Sequence, residues 1–146
     1  MKTIIAGSRD FNDYHMLIAK LAHFRKSNEI TEVVSGGASG ADATGEAWAK
    51  SEGIPIKLFP ADWDSHGRAA GPIRNRQMAE YADQLIAVWN GTSRGTKNMI
   101  EEMHKRKKPV YVIWTGTAFE ALAGDGDYEV GTQEGYEKFL KMRNGE

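Results

Sequence analysis

Short apolar runs rich in β-formers recur along the chain at Thr3–Ala6, Glu32–Ser35, Ile54–Phe59, Gln84–Trp89 and Pro109–Trp114. Each is followed by a polar, glycine-bearing turn and then by apolar residues at helical spacing, which predicts strands alternating with helices. Asn12 or Asp13 is placed to cap a first helix whose Leu17, Leu21 and Phe24 repeat at the required interval. A second stripe, Ala41, Ala47 and Trp48, ends at Gly53, and a third, Ile100, Met103 and Lys107, ends before Pro109. The run Leu-Ile-Ala-Val-Trp at 85–89 is apolar at consecutive positions, so both of its faces must be buried. A strand of that kind belongs in a parallel sheet covered by helices on both sides. The expected fold is therefore α/β: a Rossmann-like three-layer sandwich around a mostly parallel sheet of five strands or slightly more.

Two stretches interrupt the alternation. Residues Pro60–Pro72 read as a long polar connection before a helix from about Ile73 to Tyr81, and loops of that length in small domains are often functional. Residues 115–146 carry three basic residues against seven acidic ones, leaving a charge of about +3 on residues 1–114. The chain is thus expected to divide into an α/β domain over 1–114 and an acidic C-terminal extension over 115–146. In that extension Tyr136, Phe139 and Leu140 predict a short helix packed on the domain or on a neighbouring subunit.

Composition narrows the function classes. A chain of 146 residues that is 40% hydrophobic and 27% charged is one ordinary folded domain. Its net charge of −1 offers no general attraction to nucleic acid or to an anionic membrane. With no cysteine, disulfides, thiolate metal sites and a Cys nucleophile are excluded. No apolar run is long enough for a signal peptide or a membrane span, so a cytoplasmic protein is expected.

The sixteen glycines gather in short clusters after the predicted strands. In an open parallel sheet those ends line the ligand crevice. After the first strand comes Gly7-Ser8-Arg9-Asp10, after the second Ser35-Gly36-Gly37-Ala38-Ser39-Gly40-Ala41-Asp42, and after the fourth Asn90-Gly91-Thr92-Ser93-Arg94-Gly95-Thr96-Lys97-Asn98. Glycines let the backbone approach a phosphate, and the free N–H groups of a following helix favour an anion. Arg9, Arg74 and Arg94 would add charge-assisted contacts, with Arg74 the strongest candidate and Asn75 beside it. A single Gly-rich turn is as often a tight junction as a binding loop, but three converging on one crevice favour ligand contact. The spacing of Gly36, Gly37 and Gly40 fits neither the Walker A loop nor the dinucleotide G-x-G-x-x-G, so neither ATP hydrolysis nor hydride transfer is supported.

Other constellations read as structural. Asp62, Asp64 and His66 are capping and solvated groups more often than a metal site, and His15, His23 and His104 are expected at the surface. No metal or cofactor is expected. Lys105-Arg106-Lys107-Lys108 complements a helix C-terminus. The tryptophans read mostly as core, although Trp63 in the loop is placed to stack on a ring. Ser35 and Ser39 have no identifiable histidine partner for a hydrolytic triad.

Together, Ile5-Ala6-Gly7-Ser8-Arg9, the 34–42 loop, Ala61-Asp62-Trp63, Ala70-Gly71-Pro72-Ile73-Arg74-Asn75-Arg76-Gln77-Met78 and Ser93-Arg94-Gly95-Thr96-Lys97-Asn98-Met99 resemble the SLOG superfamily. The likeness is strongest to its small YspA-type branch and covers about residues 1–114. It implies a Rossmann-like fold whose crevice binds nucleotides or molecules derived from them. In the phosphoribohydrolase branch the last loop resembles G-G-x-G-T-x-x-E, and the position of its catalytic Glu is here Met99. Asp42 and Glu46 remain as carboxylates for ribose hydroxyls or for a displaced acid. The leading expectation is capture, without chemistry, of an ADP-ribose-like or cyclic nucleotide signal by a sensor or sponge, for instance in a phage opposing a host defence. A nucleotide N-glycosidase or phosphoribohydrolase is the alternative. Single-stranded DNA handling is a further one, weighed against by charge. A homo-oligomer is expected from the apolar Ile73, Met78 and Tyr81 and from the C-terminal stripe.

Overall fold

The computed structural model describes residues 1–115 and 127–129. The chain runs β1 (Lys2–Gly7), α1 (Tyr14–Arg25), β2 (Glu32–Ser35), α2 (Ala41–Ser51), β3 (Ile56–Leu58), α3 (Trp63–His66), α4 (Ala70–Tyr81), β4 (Gln84–Trp89), α5 (Arg94–Lys105), β5 (Val110–Trp114) and β6 (Asp127–Glu129). The sheet order is β3-β2-β1-β4-β5-β6. The first five strands are mutually parallel, and β6 joins the edge antiparallel to β5, with Tyr111 opposite Glu129. The architecture is the α/β sandwich that the alternation predicts.

Alternating side chains of the central strands feed two cores. Ile4, Leu85, Ala87, Val110 and Val112 meet Met78, Met99, Ile100 and Met103 of α4 and α5 on one face. On the other, Ile5, Val33, Ile86, Val88 and Ile113 meet Leu17, Leu21, Trp48 and Ala49 of α1 and α2. All six residues of β4 are buried, which is why its sequence shows no polar alternation. Asp13 is the cap of α1, its carboxylate accepting from the Met16 N–H at 3.1 Å.

Several details depart from the sequence reading. Residues 60–72 are mostly helical: Asp62 caps α3, a 3₁₀ turn spans Gly67–Ala69, and α4 starts at Ala70 instead of Ile73. These turns lack an apolar stripe because no residue of α3 is buried, so periodicity could not reveal them. The third strand pairs over only three residues, and Leu58 on this sheet edge is half exposed. In α2 the buried stripe includes Gly45 where Ala47 was expected; Ala47 is exposed, and the glycine lets the helix pack directly against Ile5. Helix α5 ends before Lys107, whose φ of 56° turns the chain toward Pro109. His104 is buried, not at the surface.

The basic run is used within the fold. Arg106 and Lys105 pair with the buried Glu102 at 2.9 and 3.2 Å, and Lys108 Nζ donates to the carbonyls of Ala79 in α4 and of Ala82 just beyond its end, each at 2.7 Å. Met78 and Tyr81 also find their partners inside the chain, Met78 in the core and Tyr81 against Phe59, so they are not the spare apolar surface that the oligomer expectation invoked. The predicted helix around Tyr136, Phe139 and Leu140 lies outside the described residues. No helix among the described residues is long and apolar enough to cross a membrane.

Candidate functional site

The chain passes from β1 outward through β2 and β3, then returns to place β4 on the other side of β1. The strand order therefore reverses between β1 and β4, and the crevice beyond their carboxyl ends is where such sheets bind ligands. A cavity of about 380 Å³ occupies this place. Gly7, Ser8 and Arg9 come to it from the end of β1, Ala38 and Asp42 from the β2–α2 junction, Arg74 and Asn75 from α4, and Gly95 and Thr96 from α5. Met78 and Met99 add apolar lining.

Close backbone approach builds the crevice. At Gly40, φ is 74° and a Cβ would strike the Ser8 carbonyl, so only glycine allows the second loop to lie against the first. The Ala41 N–H then donates to that Ser8 carbonyl at 3.1 Å, fixing the start of α2 beside the end of β1. At Gly36 a side chain would occupy the seat of the Arg74 guanidinium. The absence of one lets Arg74 Nη1 donate to the Gly36 carbonyl at 2.8 Å.

Arg74 is held a second time, its Nε donating to Asn75 Oδ1 at 3.0 Å. Asn75 is buried, and its Nδ2 donates to the Gly95 carbonyl and to Asn98 Oδ1, at 3.2 and 2.9 Å. One amide thereby ties the arginine to the loop after β4. The Nη2 of Arg74 makes no hydrogen bond to the described residues. Burial lowers the pKa of Arg74 below its ordinary value, the nearby Asp42 opposes this, and the Arg9 charge adds to it. Two guanidiniums thus face the same space, and neither has a carboxylate in salt-bridge contact among the described residues.

Asp42, at the first turn of α2, is buried and lines the cavity. Burial pushes its carboxyl above the ordinary aspartate value, against the Ala38 N–H at 3.2 Å and the Arg74 charge that pull it down. Ser8 is also buried, and its Oγ has no hydrogen-bond partner among the described residues. A buried hydroxyl left in that condition costs about 1–3 kcal/mol.

The structure distributes the remaining candidates. Gly36, Gly37 and Ser39 line an adjoining compartment, and Ser39 Oγ donates to the Arg9 carbonyl at 3.3 Å. Ser35 is buried behind the loop, donating to Glu46 at 2.7 Å and accepting from the Gly37 N–H at 3.1 Å. Gly40 and Asn98 act on the geometry of the crevice through the contacts above and line neither compartment, while Arg94 is exposed and also lies outside both. Asp10, Asn90 and Ser93, which stand in the loops expected at the crevice but were not singled out as contacts, line the cavity as well. Asn90 organises its loop by accepting from the Thr92 and Ser93 N–H groups at 2.9 and 3.0 Å, and its place directly after β4 was the available signal. Asp62 is occupied as a helix cap, and no group of three metal-ligating side chains forms among the described residues.

With this geometry, the comparisons are consistent. The sequence profile of the YspA, cpYpsA-related SLOG family matches residues 1–66. The Gene 61 protein of Mycobacterium phage D29 is 36% identical to the chain over 116 residues, covering 75% of this chain and 93% of that protein. The chain belongs to the YspA, cpYpsA-related SLOG family. No solved structure matches it.

Proposed function

We propose that the crevice captures a nucleotide-derived small molecule of the ADP-ribose or cyclic nucleotide type and does not transform it. The observation that carries this reading is the polar inventory at the reversal of strand order: among the described residues, two guanidiniums without a contacting carboxylate stand beside a buried hydroxyl without a partner. Such a set is matched by a phosphate-bearing ligand that accepts from the arginines and exchanges a hydrogen bond with Ser8. Membership of a SLOG family supports a nucleotide-related ligand.

Capture without turnover follows from the apolar residue at the family's acid position. Met99 is buried in the cavity lining, and the nearby Glu102 is committed to Arg106 and Lys105. Hydrolysis of an N-glycosidic bond needs a carboxylate poised to activate water or offset oxocarbenium charge. Asp42 favours a second reading, as a nucleotide N-glycosidase, because it alone places a carboxyl of raised pKa in the cavity among the described residues. Titration calorimetry with ADP-ribose and cyclic nucleotides, followed by chromatography of the recovered ligand, separates the two. Binding with intact ligand supports capture, and released base supports the enzyme.

A further inference from the structure

A separate compartment of about 350 Å³ lies beside the crevice, between the start of α1 and the ends of β4 and β5. Ser8, Asp10 and Asn90 line both spaces. Arg9 and Arg74 make the crevice cationic, whereas no lysine or arginine is among the described residues that line the second space. Its polar lining is Ser8, Asp10, Asn12, Asp13, Asn90 and Thr115, each able to offer an oxygen. Oxygen donors without thiolate or imidazole are the ligand set of hard cations.

Both carboxylates have oxygens to give. Asp10 makes no hydrogen bond or ion pair to the described residues. Asp13 commits Oδ1 to the Met16 N–H, and its Oδ2 has no partner among the described residues. Asn90 Oδ1, by contrast, is spent on the Thr92 and Ser93 N–H groups. Ser8 is an observation independent of the acids. It is 5% exposed, its N–H donates to the Val88 carbonyl, and its carbonyl accepts from the Phe11 and Ala41 N–H groups. What it presents to the two spaces is therefore its hydroxyl, unpartnered among the described residues.

We propose that this compartment binds a divalent cation of the Mg²⁺ type, held by Asp10 and Asp13 with Ser8 as a neutral oxygen, and completed by water and by a phosphate of the crevice ligand. Two carboxylates are too few for an all-protein cage, and Mg²⁺ commonly keeps several waters while bridging one or two carboxylates to a bound phosphate. The cation also removes a conflict, because Asp10 borders the crevice and its charge alone would repel an anion there. The Ser8 hydroxyl can turn its lone pair to the cation and its proton to the phosphate. The phosphate contact rests on the reading of the crevice as a nucleotide site; the carboxylate contacts do not.

Mn²⁺ added to the full chain is the probe, since binding removes the electron paramagnetic resonance signal of the free ion. The metal alone is expected to bind, and Asp10→Asn to weaken it by at least about tenfold, the lower end of what even outer-shell changes cost a metal site. Asp13→Asn should weaken it too while keeping the cap of α1, because asparagine caps as well as aspartate. Asp64→Asn, on the exposed α3, should change nothing. Melting temperatures verify that each variant is folded. ADP-ribose should tighten Mn²⁺ binding, and the bound ion should broaden its phosphorus resonances. Equal Mn²⁺ binding by the wild type and both loop variants, or none with or without ADP-ribose, overturns the cation site. ADP-ribose bound as tightly in EDTA as in Mg²⁺ overturns the shared cation and leaves the crevice reading standing. Mn²⁺ bound by a chain that takes no ADP-ribose leaves the carboxylate site and sinks the crevice reading.

Discussion

Arg74 reaches across the crevice to the backbone carbonyl of Gly36, 38 residues away in sequence, and its guanidinium stands where any side chain at position 36 would stand. The glycine and the arginine are therefore one device. Arg74→Ala is expected to weaken nucleotide binding by about 10- to 150-fold, corresponding to the roughly 1.5–3 kcal/mol of a charge-assisted contact. Gly36→Ala should produce a comparable loss by displacing the same guanidinium. The double variant should be little worse than either single one, which calorimetry on the three proteins reads as non-additivity.

Ser8 makes a prediction of opposite signs. Its Oγ, unpartnered among the described residues, is a burden on the fold, so Ser8→Ala should leave the melting temperature unchanged or raise it. The same change should weaken the nucleotide complex by about 0.5–1.5 kcal/mol, the net worth of one hydrogen bond. Thermal denaturation and calorimetry on the same samples check both signs. Destabilisation with unchanged binding would mean that the hydroxyl serves the fold.

Asp42 sets the pH dependence. Its carboxyl titrates above the ordinary aspartate range because it is buried, so acidification protonates it before an exposed aspartate. Protonation removes a negative charge beside Arg74, and an anionic ligand should bind more tightly as pH falls toward that titration. By linkage, binding should then take up protons, seen as a dependence of the calorimetric enthalpy on buffer ionisation. Asp42→Asn should remove the dependence. The sign for stability is also fixed: with the folded pKa raised, the charged carboxylate costs stability, and that cost appears as pH rises from the unfolded through the folded pKa.

No release of free base from nucleoside monophosphates is expected of the wild type, because Met99 presents no carboxyl to the cavity. Chromatography after prolonged incubation measures this. Release abolished by Asp42→Asn would identify Asp42 as an acid of the reaction.

Much of this arrangement was legible in the chain. The doubly apolar strand at 84–89 called for helices on both faces, and the glycine clusters marked the strand ends where the cavity lies. What was not legible depends on distance or on missing amphipathicity. The residues of α3 bury no face, so the segment read as a loop, although Asp62 was expected among the capping groups and does cap α3. His104 follows Met103 on α5, yet both are buried, so a single stripe understated the covered arc. Asn75 and Asn98 read as separate residues of two loops, and their hydrogen bond to one another across 23 residues of sequence, with Asn75 in the cavity lining, had no sequence signal. Type and spacing locate a crevice; which side chains face into it is decided by contacts between loops.

The claim that the ligand sits where β1 and β4 diverge is tested most directly by amide chemical-shift mapping of the isotope-labelled chain titrated with ADP-ribose. The expected result is that perturbed amides cluster at residues 7–10, 36–42 and 93–96, with the Trp63 indole N–H shifting as well. Perturbations confined to the opposite end of the sheet, or none at saturating ligand, would contradict it.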